Sequence, residues 1–311
     1  MRMLLTALLL GLSATAQAFE LVPQRVAEGV YALIGPTGGR THENHGLNAN
    51  FGFVVTEKGV LLIDSGASQQ GARILEAAVR QVTEQPIRWV VNTGSQDHRW
   101  LGNGYFAANG ATVIALERTV QTQRAYAGQH LDSLHRVLKE RLDGTEPAYA
   151  AEPIDADEAR RVLGGVPVEL HWYADAHFPG DVVVWLPEQR VLFSGDHVYV
   201  DRMLSVHPWG PASSWRLAYR AVRGIPAAVI VPGHGGVTDW AQAQRDTGDY
   251  LDWLVSEVGR AAEDWEGLDA TVQRLGDAQQ WTYLDNFELL HRGNVSRVYV
   301  QFENGETGAS R

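Results

Sequence analysis

The sequence predicts an α/β sandwich with a polar site along one edge, and three observations carry that expectation. Short buried apolar runs alternate with stretches of helical spacing, Gly-containing turns bound the runs, and ionisable residues gather where the runs end: Asp64, Asp97 with His98, Asp196 with His197, and His234. Loops that leave strand ends can converge on a point, which places a site there.

Residues 1–18 have the layout of an export leader, with Arg2, an apolar run from Met3 to Leu12, and Ala16-Gln17-Ala18 as a small-x-small cleavage site. Polar Ser13, Thr15 and Gln17 cut the run short of the ~20 apolar residues a membrane span needs. The expectation is a mature chain from Phe19, periplasmic or secreted, with no membrane anchor after cleavage. Val26 to Ile34 reads as a strand, followed by a polar loop around His42-Glu43-Asn44-His45. A hairpin follows, from Phe51 to Val55 and from Val60 to Ile63 about the turn Thr56 to Gly59, ending on Asp64-Ser65-Gly66. Ser68 to Val82 has helical spacing, and Ile87 to Val91 is a second buried strand whose end releases a polar loop.

In the second half, Pro167 to Trp172, Val182 to Leu186, Val191 to Ser194 and Ala228 to Val231 read as strands, and Trp215 to Val222 as a helix. Asp239 to Arg260 is helically spaced, with further helices to about Glu303. We divide the mature chain into one domain, residues 19–245, and a C-terminal helical extension, residues 246–311, packed on it. The Trp residues of that extension are read as core or interface anchors.

Composition narrows the chemistry. The absence of cysteine leaves only His and carboxylate to hold a metal. Lys and Arg number 26 against 37 Asp and Glu, and loss of Arg2 makes the mature chain one unit more negative, which argues against nucleic acid as a partner. The 311 residues, 45% hydrophobic, can bury a large core, with no low-complexity linker to divide it.

Four segments carry the candidate chemistry: Asn92 to Asn103 (NTGSQDHRWLGN), Ala176-His-Phe-Pro-Gly-Asp181, Leu192-Phe-Ser-Gly-Asp196 and Val231-Pro-Gly-His-Gly235. In order and context, with the hairpin ending Leu62-Ile-Asp-Ser-Gly66, they resemble the successive motifs of the metallo-β-lactamase superfamily. The resemblance implies an αββα sandwich and a metal-dependent hydrolase. Toward the C-terminus, Trp281, Leu284-Asp285-Asn286 and His291 to Ser296 resemble the periplasmic quinoprotein relay zinc metallohydrolase branch, which implies quinoprotein or sulfur-oxidation proteins as partners.

In that family the first loop carries two His one residue apart, then one residue, then Asp-His, so that alternating side chains close around two zinc ions. This sequence departs from the pattern. With Asn92-Thr93 and Leu101-Gly102-Asn103 as anchors and no gap, Gly94 and Gln96 take the two His positions, His98 the Asp position and Arg99 the last His position. A one-residue shift instead restores Asp97-His98 as the Asp-His pair. Both registers keep His98, and the resemblance assigns His177 to the first site, Asp196 to the bridge, His234 to the second site and Asp64 to a supporting carboxylate behind the loops.

The first site then has only His177 and Asp196, too few ligands, whereas the second has His98, Asp196 and His234, with Asp97 added in the shifted register. One zinc ion is expected, with iron or manganese also compatible with these donors. Restoring imidazoles at positions 94 and 96 is expected to raise the stoichiometry, unless Gly94 needs a conformation that His resists. Arg99 is expected to supply fixed charge and a donor fork to a carboxylate or an anionic substrate. His42, His45, His197 and His207 are read as ordinary, and His130, His135, His171 and His291 as structural or solvent-facing. Two functions follow: a hydrolase cleaving an ester, thioester or lactam-like acyl bond of a small molecule, with Asp196 aligning metal and water, or a degenerate relative that binds a ligand or partner without hydrolysis.

Overall fold

A computed structural model describes residues 19–306; the expected leader lies outside the described residues. Six strands form the first sheet in sequence order: β1 Pro23–Ala27, β2 Val30–Leu33, β3 Phe51–Thr56, β4 Gly59–Ile63, β5 Ile87–Val91 and β6 Thr112–Ile114. Five form the second, in the order β11-β10-β9-β8-β7: β7 Glu158–Leu163, β8 Val166–His171, β9 Val183–Leu186, β10 Val191–Tyr199 and β11 Val229–His234. The helices are α1 Gln69–Arg80, α2 Asp97–Trp100, α3 Asn103–Ala108, α4 Glu117–Leu138, α5 Ala212–Val222, α6 Trp240–Ala243, α7 Asp249–Glu263, α8 Leu268–Leu275 and α9 Phe287–Glu303.

The period-two alternation of a strand explains why β4 is apolar throughout: each face meets a different layer. Leu61 and Ile63 join Val184, Leu186, Val191 and Phe193 between the sheets, while Val60 and Leu62 pack with Leu75, Ala78 and Val79 of α1. Gly52 lies opposite Phe193, whose ring would stand 2.0 Å from any added Cβ, so glycine is what lets the sheets close here. On the outer face of the second sheet, α5, α7, α8 and α9 share one buried cluster with Leu192 and Val198. The layers run helix, sheet, sheet, helix, as expected. Among the described residues, no helix is long and apolar enough to cross a membrane.

Five local readings change. The strand drawn from Val26 to Ile34 is two strands of a hairpin, since Gly29 adopts φ +68° in the two-residue turn that pairs Ala27 with Val30. The stretch Glu117–Leu138, read as no element, is the longest helix; its buried face mixes Val120, Leu134 and Leu138 with Thr119, Gln123 and His130, which blurs the apolar period. Strand β10 continues to Tyr199, placing Asp196 inside the strand, and β7 is an edge strand with four exposed positions. The helical stretch from Asp239 is broken between α6 and α7 by a wider turn, Gln244–Gly248.

Candidate metal centre

Asn92 and Asn103 exchange side-chain amide hydrogen bonds of 2.8 and 3.1 Å, and Asn92 also donates to the Arg99 carbonyl at 3.1 Å. The loop between them is thereby pulled into a single helical turn, α2, which sends His98 and Arg99 inward beneath the ends of β10 and β11. These two strands are parallel neighbours, so Asp196 and His234 arrive side by side. Among the described residues, His98, Asp196 and His234 form the one three-residue group of metal-binding type, with ligand atoms within 4.8 Å of one another, all buried.

The donors suit a single divalent cation. His234 Nδ1 lies 2.9 Å from the Asn48 carbonyl, a contact that requires a proton on that nitrogen and leaves Nε2 bare, 3.4 Å from Asp196 Oδ1. Burial pushes its pKa down to about 3, so the ring is neutral, the form that ligates. His98 Nε2 stands 3.1 Å from Asp196 Oδ2, and its Nδ1 faces Asp97 Oδ1 at 3.3 Å, a carboxylate-backed imidazole.

Arg99 spends all five of its N–H groups on protein oxygens. Its Nε and one terminal nitrogen fork onto Asp196 at 3.1 and 2.5 Å, and the rest go to Asp64 Oδ2 at 3.1 Å and to the Asn50 and Gly233 carbonyls at 2.9 and 3.3 Å. Burial alone would raise the pKa of Asp196, but Arg99 and His98 hold it well below the usual carboxylate range. At 1% exposure Arg99 has no donor left for a substrate, so the anion it serves is Asp196. Asp64, at φ +62° just past β4, also accepts from Thr93 N and Oγ1 at 2.7 and 2.6 Å, which ties down the start of the loop.

Asp97, a ligand in the shifted register, lies outside the cluster: Oδ1 accepts the His98 backbone N–H at 2.7 Å, and Oδ2 takes Arg40. His177 is near but apart, with Nδ1 unpartnered and 3.8 Å from Asp196 Oδ2. At Gly94 any Cβ would meet Asp181 Oδ1 at 2.6 Å, and this oxygen has no hydrogen-bond partner. Burial and the nearby Asp196 charge push the Asp181 pKa well up, and its carboxyl fills the space an imidazole at 94 would enter. Histidines at 94 and 96 could therefore gain a metal only if Asp181 moved aside.

A cavity of about 200 Å³ opens over His98, His177 and His234, lined also by Arg40, Asn48, Arg202 and His207. Of these, Arg40 and Arg202 were missed, and His207 was read as ordinary, because no spacing marks them. The C-terminal segment places both arginines. Asp285 exchanges backbone hydrogen bonds with Asp201 and Met203 at 2.9 and 2.8 Å around Arg202. Thr37, on the loop of Arg40, donates to Asp285 Oδ2 at 2.5 Å and accepts from Asn286 at 2.8 Å.

A family model described as the metallo-beta-lactamase superfamily matches residues 46–234. The chain is 25% identical over 245 residues to metallo-beta-lactamase IND-1 of Chryseobacterium indologenes, covering 75% of this chain and 90% of that protein. It is 22% identical over 233 residues to 2,4-dinitroanisole O-demethylase subunit alpha of Nocardioides sp. (strain JS1661), covering 73% of this chain and 63%, less than two thirds, of that relative. A solved metallo-beta-lactamase from Pontibacter korlensis superposes with a TM-score of 0.60 at 21% identity, over 75% of this chain and 99% of that one. The family match spans more than half of the 311 residues and ends on His234 itself: the chain belongs to the metallo-beta-lactamase superfamily.

Proposed function

We propose that the protein is a metal-dependent hydrolase of an acyl bond in a small molecule, an ester, thioester or lactam-like amide, working with one cation held by His98, Asp196 and His234. The observation that carries this reading is the convergence of those three ligand atoms within 4.8 Å, with both imidazoles facing the cavity. A cation bound there supplies Lewis acidity and brings the pKa of a coordinated water toward neutrality. The chain's own part is to hold that position: Asp97 backs His98, the Asn48 carbonyl fixes the tautomer of His234, and Arg99 locks the carboxylate of Asp196. Hydrolysis adds the oxygen of water to the acyl carbon, breaks the bond to the leaving group and delivers a proton to the departing alcohol, thiol or amine.

Zinc is the proposed ion, with iron or manganese accepted by the same donors. The proposed setting is the periplasm, beside quinoprotein or sulfur-oxidation proteins, on the strength of the leader-like N-terminus and the C-terminal resemblance. The names of the relatives point to different reactions, a β-lactamase and an O-demethylase subunit, so the bond cleaved is taken from the site and not from either name. The test is metal analysis of protein purified without chelator, together with turnover of a panel of acyl substrates. Chelator-sensitive hydrolysis that is lost in His98→Ala is expected; a metal-free protein inert on the whole panel would refute the reading.

One observation favours a second reading, a binding protein without hydrolysis. Arg99 already forks onto both oxygens of Asp196 and so neutralises the carboxylate without any metal. A chain that binds no zinc at micromolar concentration, yet retains small ligands in its cavity, is the outcome this second reading requires.

A further inference from the structure

The cavity over the candidate ligands is not alone. Beside it lies a larger chamber of about 320 Å³, and the two share Arg40, Gln96 and His207 as common walls. Its lining is mixed, with Gln96, Asp97, Gln129 and Ser133 beside an aromatic and apolar part. Phe178 and Trp209 stand with ring centroids 5.2 Å apart, His207 stacks on Trp209 at 5.4 Å, and Leu134 and Val137 of α4 close the far side. Its volume sits at the small end of the range for ligand pockets, room for a single ring.

The smaller cavity holds a cation, Arg202, that makes no direct ion pair among the described residues. Arg202 stands 6.0 Å over the Tyr199 ring and has a buried Nε with no hydrogen-bond partner; its one polar side-chain contact among the described residues is a terminal nitrogen 3.2 Å from His234 Nδ1. That nitrogen carries the proton given to the Asn48 carbonyl and so cannot accept from Arg202. Arg40, on the other wall, is tied to Asp97 through one nitrogen only. Leaving a half-buried guanidinium unpaired costs free energy that an anion would return.

We infer that the natural ligand is an aromatic carboxylate: its ring occupies the chamber between Phe178, Trp209 and Leu134, and its carboxylate meets Arg202 in the cavity over His98 and His234. The inference deepens the hydrolase reading by naming the substrate class, and it rests on that reading only for where the reacting bond lies. Ring stacking and charge-assisted hydrogen bonds are separable contributions, so three probes that cannot be hydrolysed here distinguish them.

Calorimetric titration of the whole protein should show phenylacetate binding at least about 10-fold more tightly than 2-phenylethanol, which lacks the charge, or acetate, which lacks the ring. Arg202→Met should bring phenylacetate down to the level of 2-phenylethanol, and Trp209→Ala should bring it toward acetate. The wild-type comparison needs no variant to fold. Equal affinity for the three probes, or no saturation of any by about 10 mM, would overturn the inference. Phenylacetate binding with no chelator-sensitive turnover of aryl esters would sink the hydrolase reading and keep this one. Chelator-sensitive turnover with the same kcat/KM for aromatic and aliphatic acyl substrates, alongside equal probe binding, would do the reverse.

Discussion

Replacing Arg99 by Met removes the charge while keeping most of the length of the side chain, and the structure sets the size of the consequence. Two carboxylates at 1% exposure, Asp64 and Asp196, lose a common partner, and the Asn50 and Gly233 carbonyls lose donors. Breaking a buried pair from one side costs ~3–5 kcal/mol. Asp64 keeps its two bonds from Thr93, so Asp196 bears most of the cost, and a loss of ~4 kcal/mol is expected. In the wild type the pKa of Asp196 is held low, so its ion pair stabilises the fold above the usual carboxylate range and is lost on acidification. In the variant the stranded carboxylate is pushed up and is relieved by the same acidification. The deficit must therefore shrink as the pH falls from about 7 toward about 4. Urea unfolding of both proteins in the presence of chelator measures it, with the slope m unchanged. A deficit under ~1 kcal/mol near pH 7, or one that stays constant with pH, would refute the account of Arg99 as the counterion of this core.

Four further outcomes follow. Elemental analysis should find at most one tightly held cation per chain, lost in Asp196→Ala and in His234→Ala; two per chain would show that the ligand count is wrong. Gly94→Ala alone should cost ~1–3 kcal/mol, because its Cβ meets Asp181 at 2.6 Å, and the pair Gly94→His with Gln96→His should bind no additional zinc by calorimetry. Asp285→Ala should cost ~1 kcal/mol in urea and weaken phenylacetate binding by freeing the Arg40 loop, whereas Asp285→Asn, still an acceptor for Thr37, should recover most of that affinity. Burial lowers His197 and His207 to about 4, so the folded chain keeps them neutral while the unfolded chain protonates near 6.5; one unit below 6.5 each removes ~1.4 kcal/mol of stability, and a urea midpoint that does not fall between pH 7 and 5 would contradict this.

How much of this was legible depended on whether a residue's role was written in local spacing. The buried strands were, because continuous apolar runs such as Val60 to Ile63 have few alternatives, and the sandwich follows from where such runs end. The candidate ligands were reached through the order of four segments, each weak alone. Helix α4 was hidden because its inward face is partly polar: Thr119 donates to the Gly180 carbonyl at 2.6 Å and Gln123 to the Gly94 carbonyl at 3.2 Å, so side chains that support the site erase the apolar period. Arg40 and Arg202 were invisible for another reason. Their place over the site is set by Asp285 and Asn286, more than 80 residues away in sequence from either, and no local pattern encodes a contact of that range.

The charge balance of the buried centre gives a reason for the proposed site to take one cation in place of two. With both carboxylates ionised, one guanidinium between Asp64 and Asp196 leaves a single unit of negative charge behind the ligands. One divalent ion turns that into a single positive charge, which an anionic ligand can balance within the cavity. A second divalent ion would add two more positive charges to a region where the walls already carry Arg40 and Arg202, and repulsion at low effective dielectric would oppose it. Arg99 thus does the electrostatic work of a second metal from inside the protein. An Arg99→Met chain should accordingly gain more stability from added zinc than the wild type does, since the ion then compensates both carboxylates unaided; midpoints shifted equally by zinc in the two proteins would count against it.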